Sequence, residues 1–78
     1  VQILTHLSQV ALLAGDAQRA LDLGLDSLAG SRRFDDRWAI AMAATTVGHA
    51  RMAEGQVERA RTAFDEAAKV FHDIGNPL

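Results

Sequence analysis

Gly15-Asp16-Ala17-Gln18-Arg19-Ala20 and, forty residues on, Gly55-Gln56-Val57-Glu58-Arg59-Ala60 are two copies of one helix break. In each, a glycine supplies the left-handed residue that ends a helix, and the next residue opens another. Asp16 has the side chain to cap that second helix; Gln56 is a poor cap. The correspondence spreads outward from the breaks. At the same offset Thr5 matches Thr45, Arg19 matches Arg59 and Ala20 matches Ala60, while Leu7 pairs with Val47, Leu12 with Met52, Asp26 with Glu66 and Phe34 with Ile74. Internal repetition at this period marks helical repeats, because one helix pair cannot bury its apolar face alone and stacks on another.

Apolar residues recur every three or four positions throughout, which is helical spacing. The expected faces are Ile3, Leu7, Val10 and Ala14; then Ala17, Leu21, Leu25 and Leu28; then Ile40, Ala44 and Val47 with Trp38 and Met42 beside them; then Ala60, Phe64, Ala67 and Phe71. A further break is expected at Gly30-Ser31-Arg32-Arg33-Phe34, with Asp35 or Asp36 capping the third helix, and a stop at Gly75-Asn76-Pro77, since proline cannot continue a helix. From Trp38 to Ala44 the chain is apolar all round, so that helix must be covered on several sides. The fold class is all-α: four antiparallel helices in two helix-turn-helix units, a short α-solenoid within one domain over 1–78. The first unit covers about 1–34 and the second about 35–75.

Composition narrows the function classes. The chain has 78 residues, 49% apolar, with no cysteine and a formal charge of −2. That is too apolar for a disordered chain, and it removes disulfides and thiolate chemistry. No apolar run reaches the roughly 20 residues of a membrane span. No basic segment followed by an apolar stretch opens the chain as in a signal peptide; without an initiator Met it reads as a fragment or processed product. The expected location is the cytoplasm. Arg32, Arg33 and Arg37 enclose Asp35 and Asp36, a mixture unlike the basic stripe of a nucleic-acid module. Neither nucleic acid nor membrane is an expected partner.

The three histidines, His6, His49 and His72, lack the spacing of a metal-ligand set. His6 and Ser8 point to different faces of a helix, and Thr45, Thr46 and His49 come with no phosphate loop or strained turn. No cofactor, metal site or catalytic residue is expected, and the chain is not expected to be an enzyme. Arg61, Asp65, Lys69 and Asp73 alternate in charge at helical spacing, a solvated face.

In the second unit Val47, Gly48, Gly55, Ala60, Phe64 and Ala67 fill the places of a tetratricopeptide repeat: a small pair where two helices approach, then Ala, aromatic and Ala on the second helix. In the first unit Leu7, Ser8, Gly15, Ala20, Gly24 and Ser27 stand there. Gly24 and Ser27 depart from the pattern, and Leu25 and Leu28 are expected to carry the packing instead. The early aromatic of the first helix is replaced by Leu4 and Ala44, and the terminal proline is absent at His72. The unit is longer than the family's usual length of about 34 residues. This longer form resembles repeats in the C-terminal parts of large bacterial transcription regulators, LuxR-type and antibiotic-regulatory. Phe34-Asp35-Asp36-Arg37-Trp38 and Phe71-His72-Asp73-Ile74-Gly75-Asn76-Pro77-Leu78 look like their turns between repeats. Seven arginines against the single Lys69 fit a GC-rich bacterial coding style.

The resemblance implies a protein or peptide partner, held by a groove lined by Gln2, Thr5, Gln9 and Leu12 and by Met42, Thr45, His49 and Met52. It shows no basic clamp for a terminal carboxylate, so acidic C-terminal tails are not expected ligands. Met surfaces adapt to varied apolar partners, although Met42 and Met52 serve equally well as core. Two further expectations stand beside this one. A homodimer would cover apolar ends at Ile3, Leu4 and Leu7 and at Phe71, Ile74 and Leu78. A small apolar ligand held between the helices is the more distant option.

Overall fold

The computed structural model describes the backbone of residues 2–75 and the side chains of residues 6–75. Those residues form four helices and no strand: α1 (Gln2–Leu13), α2 (Ala17–Arg33), α3 (Arg37–Ala53) and α4 (Val57–Gly75). α4 runs to the first residue of the expected stop; Asn76 and Pro77 lie outside the described residues.

The three turns are built alike. Asp16 donates its backbone N–H to Ala11 (2.9 Å), Asp36 to Ser31 (3.0 Å) and Gln56 to Arg51 (2.8 Å), each five residues back. The residue before each of these has positive φ: Gly15 at 84°, Asp35 at 50° and Gly55 at 77°. Together with the bonds from Gly15 to Leu12, Asp35 to Arg32 and Gly55 to Met52, this is the Schellman ending, repeated every twenty residues along the chain. Its last residue then opens the next helix. Asp16 accepts from Arg19 N–H and Asp36 from Ala39 N–H, both at 3.1 Å. Gln56 does not cap with its side chain, whose amide oxygen accepts instead from Arg51 (2.9 Å).

The second break therefore sits five residues later than the glycine that suggested it. Gly30 through Arg33 stay helical, and Ser31, fully buried, donates to the Ser27 carbonyl (2.8 Å). The left-handed residue is Asp35, because aspartate tolerates that conformation better than most side chains. Of the two candidate caps, Asp36 is the one used.

Such short turns fold each helix back on its predecessor. α2 packs on α1, α3 on α2 and α4 on α3, and α1 also touches α3. α3 is the centre, buried at Ala39, Ile40, Ala41, Ala43, Ala44 and Val47 and further at Thr46, Gly48 and Ala50, as its all-round apolar character requires. Leu21, Leu28, Ile40 and Val47 supply the larger core side chains, set among alanines that let the helices approach closely.

The expected faces of α3 and α4 hold, with Phe64 and Phe71 half-buried. The face of α1 does not. Leu7 (45% exposed) and Val10 (50%) stand in solvent, as does Ala14; among the described side chains of α1 the buried ones are Ser8 and Ala11, one step round the helix. Small residues meet α2 there, and the aliphatic stripe lies along an edge that none of the described residues covers. On α2, Leu25 is exposed while Gly24 and Ser27 are buried, so packing keeps the register of the second unit. Ile3 lies outside the described side chains.

Candidate protein-binding surfaces

The two units solve one packing problem with side-chain sizes exchanged. In the second, Gly48 of α3 lies under the Phe64 ring of α4; a Cβ on Gly48 would fall 2.5 Å from Phe64 Cε1. In the first, Ser8 of α1 faces Gly24 of α2, where a Cβ would lie 3.4 Å from the Ser8 hydroxyl and 3.0 Å from Val47 Cγ2. The Ser8 hydroxyl, fully buried, donates to the Ala20 carbonyl. Gly24 thus admits both the side chain opposite and Val47 of the next unit.

With most of α3 buried, five of its outward positions form one stripe at steps of four and three: Trp38, Met42, Thr45, His49 and Met52. Trp38 is 53% exposed and Met52 is 49%, Met42 and Thr45 are half-buried, and His49 is exposed. His49 meets the Phe64 ring edge-on at 5.2 Å, which fixes its imidazole on the α3–α4 seam. The Thr45 hydroxyl donates to the Ala41 carbonyl (2.8 Å), so it presents a methyl group more than a donor. Four of the expected groove residues thus share one face. On α1, Gln9 is exposed and Leu12 is turned partly onto the core. Gln2 and Thr5 lie outside the described side chains.

Of the residues expected at the ends, Leu7 is exposed, Ile74 is 40% exposed and Phe71 packs edge-on against Trp38 at 5.4 Å. Ile3, Leu4 and Leu78 lie outside the described side chains. Trp38, expected beside the α3 face, lies in the first turn of α3, where the Phe71 ring packs on the indole and leaves about half of the side chain open.

Two open clefts lie among the described residues. One is bordered by Leu7, Val10, Leu23, Ala11 and Arg19, the other by Val47, Ala63, Arg51 and Arg59 together with Leu28. Arg32 of α2 pairs with Glu66 of α4, and Arg37 with Asp73 (3.0 Å). These exposed bridges contribute at most about 1 kcal/mol each.

The histidines sit on three different helices, and among the described residues no three His, Cys, Asp or Glu side chains gather as a metal site would require. No described helix is long and apolar enough to cross a membrane. Searches with family models, against curated proteins and against solved structures find nothing that matches this chain.

Proposed function

We propose that this chain is a protein-binding module, a tetratricopeptide-like scaffold segment of a larger bacterial regulatory protein, which holds a partner rather than transforming a substrate. The observation that carries the reading is the α3 stripe. Between Trp38 and Met52 the rest of this central helix is buried except for the half-buried Arg51, and the outward row offers an indole, two thioethers, a methyl and an imidazole, with no Asp, Glu, Lys or Arg. Thioethers repack against varied apolar shapes, and an aromatic anchor is typical of the residues that dominate interface energy. The partner that fits is an apolar helix face or extended segment.

Met52→Glu tests it. The side chain is half exposed, so circular dichroism should be unchanged, while partner capture by the immobilised chain from the source cell should be lost. Capture equal to wild type removes the reading. Self-association is the competing reading, favoured by the exposed Leu7, Val10 and Leu13 of α1. Sedimentation equilibrium decides it: a monomer at every concentration rules it out.

A further inference from the structure

The two clefts are the same place in the two units. At the forty-residue offset Leu7 corresponds to Val47, Ala11 to Arg51, Arg19 to Arg59 and Leu23 to Ala63. They differ in what covers them. Over the second unit lies α2, whose Leu28 borders the cleft and whose Gly24 backbone meets Val47. Among the described residues, nothing lies over the first. Val47 is 4% exposed and Ala50 is 0%, while their counterparts Leu7 and Val10 are 45% and 50% exposed. The covering helix also crosses to the far wall: Arg32 of α2 reaches Glu66 of α4. The counterpart of Glu66 is Asp26 of α2, which carries the same charge, is exposed, and forms no ion pair among the described residues.

We propose that the edge formed by Leu7, Val10, Leu23 and Asp26 docks one amphipathic helix with the chemistry of α2: two leucines flanking a glycine, as at Leu21, Gly24 and Leu28, and an arginine one turn on, as at Arg32. The proposal rests on the binding-module reading and adds a second surface with its own partner class. Charge complementarity sets the polarity of the helix, since its arginine must reach Asp26. The α4 helix of a second copy does not qualify. Where Gly24 of α2 admits Val47, α4 carries Phe64, and where Leu28 borders the cleft, α4 carries the exposed Ala68, so head-to-tail stacking would set a ring against Leu7 and leave the cleft unfilled.

The probe is a synthetic peptide of residues 17–33, used both plain and hydrocarbon-stapled, because a free helix of that length is marginal in water. It is titrated into the full chain carrying labelled Leu and Val methyls. The expected result is a saturable shift at Leu7, Val10 and Leu23. Leu7→Asp in the chain should weaken it at least tenfold, and Met52→Glu should leave it unchanged. Arg32→Glu in the peptide should weaken it several-fold, and Asp26→Arg in the chain should restore the lost affinity. Absence of shifts with the stapled peptide overturns the proposal. So does a shift pattern centred on Val47, which would mean that the peptide displaces α2. A chain that already dimerises, and does so no longer with Leu7→Asp, also overturns it, since a second copy then covers the edge. If the peptide fails to dock while Met52→Glu still abolishes partner capture, the edge assignment falls and the binding-module reading stands.

Discussion

At the level of single residues, Gly48 leaves no room for a side chain beneath Phe64. A methyl group on Gly48 would sit 2.5 to 2.8 Å from three ring carbons, closer than any real contact, so the ring must swing and lose its edge-on packing against His49. Gly48→Ala gains roughly 1 kcal/mol of helix propensity, yet overpacking costs about 1–3 kcal/mol and should win: a lower urea midpoint with an unchanged slope. Combining it with Phe64→Leu should cost less than the two single changes added, by more than about 0.5 kcal/mol. Gly24→Ala meets softer neighbours at 3.0 and 3.4 Å and should be close to neutral. The Gly48–Phe64 pairing was legible, because both residues stand where a repeat puts a small residue and an aromatic. The exchange at Ser8 and Gly24 was not. A glycine in place of an aromatic suggested that packing had moved to Leu25 and Leu28; Leu28 is in the core but Leu25 is exposed, and the space at Gly24 is filled from the helix opposite and by Val47. One chain's residue sizes do not say which neighbour fills the space.

Among the elements, the turns carry the repeat more faithfully than the helices do, and their differences predict where stability can be gained. Asp36 satisfies the Ala39 N–H, so Asp36→Ala should cost about 1 kcal/mol, read as a lower thermal midpoint. Gln56 spends its amide oxygen on Arg51; Gln56→Asp should give α4 the cap that α2 and α3 have and raise the midpoint. Asp35 stands at φ 50° where the other turns use glycine. A side chain there costs on the order of 1 kcal/mol, so Asp35→Gly should stabilise the chain, and Asp35→Ala should destabilise it. These two outcomes of opposite sign are checked in one melting series. Glycine marks the first and third turns openly. The second turn is hidden because its left-handed residue is an aspartate and a nearby glycine, Gly30, is a helix residue. A rule that looks for glycine finds the wrong position there, and only the repeated hydrogen bonds reveal the right one.

For the molecule as a whole, stability should track the number of faces each helix has covered. α3 meets α1, α2 and α4, whereas α1 leaves Leu7, Val10 and Leu13 at 45%, 50% and 90% exposure. A chain this small is held by a few kcal/mol at most, and fully burying one large aliphatic side chain contributes about 1.5–3 kcal/mol of that. Val47→Asp, which places a charge in the centre, should therefore unfold the protein outright, while Leu7→Asp, at a side chain only about half buried, should cost about 1–2 kcal/mol and leave the chain folded. The same asymmetry governs local opening. Amide exchange should be slowest in the middle of α3, from Ala41 to Ala50, at the rate of global unfolding, and fastest in α1, which can detach while α2, α3 and α4 remain packed. Binding of an α2-like helix to the α1 edge should then slow exchange in α1 and leave α3 unchanged. If α1 and α3 exchange at one rate in the free chain, the four helices open as a single unit, and the exposed edge carries no local weakness for a partner to relieve.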